Sequence, residues 1–221
     1  SSLLTFMAGN AGLVSGTPGT AISEWSHVAN TSAVMSAMGF DPGREWYSVM
    51  NPFSTVALAD KQTALLQDGL VRSAWENALI PRNFGGTNAF MHNSLITRTT
   101  GNEAGGAVAI NGAAQESGYV AVKDTMTQTI ALDGLTATTG TIVAGDVLEF
   151  ENFQWVNQQS KQPINDQAGA KNFTAKVTVG GTANGSGELT VTITPPIIID
   201  ATNPQYDNVV SLGTSDGSVV N

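Results

Sequence analysis

Between residues 137 and 199 apolar and polar residues alternate with a period of two, which confines this part of the chain to antiparallel β-structure. Leu189, Val191 and Ile193 fall on one face of the stretch 188–194, and Thr190, Thr192 and Thr194 on the other. Phe173, Ala175, Val177 and Val179 repeat the pattern against Thr174, Lys176 and Thr178. Further strands are expected at 119–122, 128–132 and 146–155, with 197–199 as a final edge segment. Pro195 and Pro196 suit a strand end, because proline cannot donate to a ladder. Within 146–155 the apolar parity slips between Phe150 and Phe153, which predicts a bulge near Glu151 and Asn152. Asn184-Gly185-Ser186-Gly187 reads as a hairpin turn, with Asn-Gly supplying the positive φ angles. Five or six short strands at this spacing make a small barrel or sandwich. Its expected core is Ile130, Leu132, Leu148, Phe150, Phe173, Val177, Leu189, Val191 and Ile193.

Residues 1–98 follow a different pattern. Trp25, Val28, Ala29, Met35 and Met38 sit at helical spacing within 22–38, and Gly39 is the stop signal. A short strand is expected at 45–50. Asn51-Pro52 then supplies an N-cap and a first helical residue for a helix to about 66. A further helix is expected at 70–79, ended by Pro81. From Thr99 glycine becomes frequent and β-type alternation takes over. Two connections, 104–118 and 156–170, are too long for tight turns, and loops of that length usually carry function or are disordered.

Composition narrows the function. Charged residues are only 12% of the chain, and formal net charge is −9, from 9 basic and 18 acidic residues. The basic residues are scattered, whereas nucleic-acid binders concentrate them to neutralise phosphates. Cysteine is absent, which removes disulfides and thiolate metal sites. No apolar run approaches the roughly 20 residues that span a bilayer. The chain opens at Ser1 on Leu3, Leu4, Phe6 and Met7, which read as the last turns of a helix and thus as a fragment of something longer.

No catalytic constellation emerges. His27 and His92 lie in or beside apolar helical segments, where a surface or capped core role is the ordinary one. Glu149 and Glu151 alternate with Leu148 and Phe150, so they point to solvent rather than forming a desolvated acid pair. Asp200, Asn203 and Asp207 lack the spacing of a calcium loop and read as a linker. Trp25, Trp46, Trp75 and Trp155 read as core residues, with only Trp155 placed near an interface. No enzyme activity, cofactor or metal is expected.

The order of segments resembles the major coat protein of P-twenty-two-type short-tailed bacteriophages. The matching features are Trp46 to Pro52, the segment 80–101, Thr138-Thr139-Gly140, Gly145-Asp146-Val147, Phe150, Phe173, Val177 and Ile193-Thr194-Pro195. The resemblance implies an α+β chain, part of the tailed-phage (Hong Kong 97-type) capsid fold with an inserted antiparallel six-stranded β-barrel. Residues 1–98 would be part of the capsid core, 99–207 the insertion, and 208–221 a return into the core. It implies a structural subunit of an icosahedral head, with no enzymatic role. Its partners would be further coat subunits, a scaffolding protein and the portal, without membrane or direct nucleic-acid binding. Assembly would occur in the bacterial cytoplasm and the product would be the virion. Two insertion loops of such proteins, one reaching a neighbouring capsomer and one influencing assembly, resemble 109–124 and 156–171. Contact candidates are therefore Glu116, Lys123, Asp124, Lys161, Asp166 and Lys171. The other class considered is a phage tail, adhesin or carbohydrate-binding module. The inward placement of Phe150 and Phe173 speaks against it.

Overall fold

The computed structural model describes residues 3, 6–7, 11–16, 20–41, 43–62, 83–93, 99–103, 108–166 and 169–221. The chain divides into two compact units, one of residues 1–5 and 14–97, the other of 6–13 and 98–221.

In the first unit, helix α1 (Trp25–Ala37) ends as its sequence dictates. Gly39 has φ 95°, and the N–H groups of Phe40 and Gly39 donate to the carbonyls of Met35 and Ser36, a Schellman closure. Strand β1 (Tyr47–Met50) leads through Asn51 into α2 (Pro52–Gln62). The Asn51 Oδ1 accepts the Phe53 N–H at 2.9 Å, so the expected cap forms. Strands β2 (Asn83–Phe84) and β3 (Thr87–Met91) make a hairpin through Gly85 and Gly86, both at positive φ. That Gly-Gly pair was the available signal, and the sequence reading placed no strand here. β1 lies parallel to β3, and Val28, Met50 and Leu58 pack together as a small core. The helix expected at 70–79, with Trp75, lies outside the described residues, as does the end of the preceding helix beyond Gln62.

The second unit is a curled antiparallel six-stranded sheet. Its strands are β4 (Ala109–Ile110), β5 (Gln128–Asp133), β7 (Val147–Trp155), β10 (Asn172–Val179), β12 (Leu189–Thr194) and β13 (Val209–Ser211). They run in the order β13-β7-β10-β12-β5-β4. Short pairs join β6 (Thr141–Ile142) to β11 (Gly181–Thr182), and β8 (Asn165–Asp166) to β9 (Gly169–Ala170). The alternation builds the interior: Ile130, Leu132, Phe150, Phe173, Val177, Val191 and Ile193 are fully buried, Leu148 is buried, and Leu189 is half-buried at the rim. Each full burial of such a side chain contributes about 1.5–3 kcal/mol. Phe150 and Phe173 meet at 5.8 Å between ring centroids.

Register explains the parity slip. Phe173 pairs with Phe150, while the adjacent Asn172 pairs with Gln154, so residues 151–153 are extra on β7. This lets both Phe150 and Phe153 point inward. A second irregularity on β10 pairs Val177 with Ile193 but Val179 with Thr192. Val179, expected inside, is therefore turned out and is 60% exposed.

Four other expectations need correction. Residues 119–122 form a helical turn, α3 (Tyr119–Val122), instead of a strand. Four apolar residues do not distinguish the two by pattern, and the Asp200 carboxylate accepts the Tyr119 N–H and so anchors the turn. Residues 197–199 contribute one parallel bridge, Ser117 to Ile198, and no strand. In the 184–187 turn the positive φ falls on Gly187 instead of the Asn-Gly pair, while Asn184 Oδ1 accepts the N–H groups of Ser186 and Glu188. Residues 208–221 stay with the β unit: β13 pairs with β7, and Val219 and Val220 bridge Ala109 and Phe150. Through Val220 to Val108 and the reciprocal Glu149–Asn221 bonds, the ladder runs from β4 back to β7.

Candidate assembly surfaces

The first loop begins at β4 and is tied to the sheet by two glutamines. The Ala131 N–H donates to Gln115 Oε1 at 2.9 Å. The buried Gln128 donates through Nε2 to the Gln115 carbonyl and accepts the Ile197 N–H on Oε1 at 2.7 Å. A buried amide satisfied at both ends fixes this loop to the fold. Sequence reading gave these glutamines no role, and a polar residue at an inward position of β5 was the only available signal. The first half of this loop is thus part of the fold.

Its second half is different. α3 buries Val122 and exposes Val120, and Lys123 and Asp124, which follow it directly, are exposed. Among the described residues, Lys123 and Asp124 have no side-chain partner, and neither does the half-buried Glu116. Tyr119 stacks on Tyr206 at 3.9 Å between centroids, which braces this end of the loop. Below it, Asp200 accepts N–H donors from Thr202, Asn203 and Tyr119, and the Asn203 side-chain amide. Burial is the largest single influence on Asp200 and opposes its charge, but the hydrogen bonds from Asn203, Thr202 and Tyr119 together hold its pKa below the ordinary aspartate value. Asp200, Asn203 and Asp207, read as a linker, thus form a folded turn.

The second loop, 156–171, folds back on itself. Asn157 Oδ1 accepts the N–H groups of Gln159 and Ser160, each at 2.9 Å. Lys161, at φ 55°, sends its ammonium to the Asp207 carbonyl at 2.8 Å, so this candidate contact residue is used within the subunit. Lys171 is half-buried and bonds through its backbone to Ile164 and Trp155. Asp166 lies in β8, and its side chain is not among those described. Gln154 anchors the hairpin through the Ile164 carbonyl at 2.8 Å. The structure thus brings Lys123 and Asp124 together on one exposed turn and separates both from the internal Lys161.

Residues considered for other chemistry are placed plainly. Glu149 accepts the Asn172 amide at 2.8 Å and Glu151 the Asn221 amide at 2.8 Å, so the two carboxylates serve separate contacts. Trp155 is buried against Phe173, with centroids 4.6 Å apart. Trp25, expected in the core, is 57% exposed. His27 is half-exposed and its Nδ1 accepts the Ser23 N–H, while His92 is exposed. Among the described residues no cluster of three His, Asp or Glu could hold a metal, and no helix is long and apolar enough to cross a membrane.

A family model described as "P22 coat protein - gene protein 5" matches residues 1–221. The chain belongs to the P22 coat protein family. A protein described as "Major capsid protein" from Acyrthosiphon pisum secondary endosymbiont phage 1 is 42% identical over 209 residues. That match covers 94% of this chain and 49% of the relative. The chain thus spans about half the length of the curated relative it matches.

Proposed function

We propose that this chain is part of a major capsid subunit that packs with copies of itself into a phage head. The carrying observation is the family match over the whole chain. In support, the β unit buries its own core and leaves paired opposite charges, Lys123 and Asp124, free on a braced turn. The finer reading is a Hong Kong 97-type subunit with the β unit as its insertion and residues 14–97 as part of its core. Its role is structural, without catalysis, in the virion. Scaffolding protein and portal would be its assembly partners in the host cytoplasm.

Shell contacts of this kind are individually weak and gain strength through repetition. The α3 turn suits such a contact because its charges are exposed while its backbone is pinned by Asp200. The test uses a full-length coat chain carrying these residues, with Lys123→Ala and Asp124→Ala combined. Sedimentation and electron microscopy should show shells from the parent and a clear loss of shell yield from the variant. Absence of shells from the parent would remove the capsid reading, and normal shells from the variant would remove this turn from the contact.

A further inference from the structure

We propose that Trp155, Thr174 and Pro195 form a latch that holds the backbone at Gly12, and that the latch closes only when β7, β10 and β12 are paired in their native register. The Thr174 hydroxyl donates to the Gly12 carbonyl at 2.7 Å. The same oxygen accepts the indole Nε1–H of Trp155 at 3.4 Å, so both its roles are used. Thr174 lies between Phe173 and Ala175 on β10, at a position whose alternation points it away from the sheet interior. It is nevertheless only 3% exposed. Gly12 is itself buried, and a Cβ there would stand 2.1 Å from Pro195 Cδ and 3.0 Å from the Thr194 carbonyl oxygen. Glycine is required here by close approach, not by its φ angle.

Each of three neighbouring strands supplies one part. Trp155 ends β7, Thr174 lies in β10, and Pro195 follows β12 directly. A one-residue slip of β10 would turn Thr174 to the opposite face and remove the donor. The chain passes from this unit to the other at Val14, two residues after the latched carbonyl. The latch therefore fixes the point at which the chain leaves the β unit, and it does so only for a correctly paired sheet. It is a register check built into the fold.

The test is site-resolved amide hydrogen exchange on the 221-residue chain. Ala11, whose N–H donates to the Met7 carbonyl at 3.1 Å, and the buried Gly12 report on the latch. Thr174→Val removes the hydroxyl and keeps the shape. It should speed exchange at residues 11–14 roughly tenfold, the scale of one lost buried hydrogen bond, while 147–155 and 189–194 keep their protection. Thr174→Ser should stay within about threefold of the parent. Unchanged exchange at 11–14 in Thr174→Val would overturn the proposal. Should that variant loosen the sheet as well, Gly12→Ala decides, because it substitutes no sheet residue and acts through its close contacts with Thr194 and Pro195. Selective loosening of 11–14 by Gly12→Ala sustains the latch, and parent-like exchange there overturns it.

Discussion

The two units share one chain but not one way of excluding water. Of the twelve largest fully buried side chains among the described residues, only Leu58 belongs to the first unit. The other eleven, from Ile110 to Ile198, fill the β unit. The first unit exposes Trp25, Phe40, Tyr47, Val49, Phe53, Val56, Phe90 and Met91, and the β unit, for all its core, exposes Phe6, Met7, Val120, Val179 and Leu212 among others. Tyr47 and Phe90 lie together on the outer face of the first unit's sheet, with centroids 5.9 Å apart. Exposed apolar groups clustered this way mark surfaces that another element covers. The contrast lies in the core: the β unit fills an extensive interior, and the described residues of the first unit form only the small cluster of Val28, Met50 and Leu58.

The largest effect expected is on closure of the β unit. Deleting 208–221 removes β13 and the segment that carries the ladder from β4 to β7, together with buried Val209, Ser215, Ser218 and Val220. The β unit should then lose its cooperative melt, with flat calorimetry and collapsed amide dispersion. A retained melt would show that 99–207 is the complete unit, as the sequence alone suggested.

Next in size is a paired substitution across the two units. Phe173→Ala should cost about 3–5 kcal/mol by urea titration, because its ring is fully buried. Phe53→Ala, at a ring 85% exposed, should stay within about 0.5 kcal/mol. Equal costs would erase the contrast.

The third effect is a pH dependence confined to the β unit. The Asp200 pKa is lowered in the folded state, so its contribution is present above the unfolded aspartate value near 4. It is lost as pH falls from there through the lower folded value. Asp200→Asn should lower the melting temperature at neutral pH and flatten its fall below about pH 4, where parent and variant converge. An unchanged acid limb would mean that Asp200 does not hold the 117–123 turn.

Smallest is the effect of the exposed charges on the fold. Neutralising Lys123 and Asp124 should move the stability of the isolated chain by only ~0–1 kcal/mol, whatever it does to shells. A large drop in melting temperature would make these residues part of the fold and not of a contact.

What the sequence made legible follows from range. Alternation in β12 and in β10 as far as Val177, the Asn51 cap and the Gly39 stop are local signals, and each formed as read. Even the β7 bulge was visible, because two inward phenylalanines three apart cannot share a regular strand face. The 208–221 segment was not, since its partners Val108, Ile110 and Glu149 lie far away in sequence and its own pattern is too short to alternate. The candidate contacts divided for a similar reason. Lys161 and Lys123 look alike in sequence, but only the fold turns one onto the Asp207 carbonyl and leaves the other in solvent.

The central claim is that the β unit carries an extensive core of its own, while the described residues of the first unit hold only a small one. Native-state hydrogen exchange on the 221-residue chain tests it most directly, because it resolves stability by region. The account predicts slow exchange, near the global limit, for β5, β7, β10 and β12, and exchange many-fold faster for α1, α2 and β1. Equal protection in both units would contradict it.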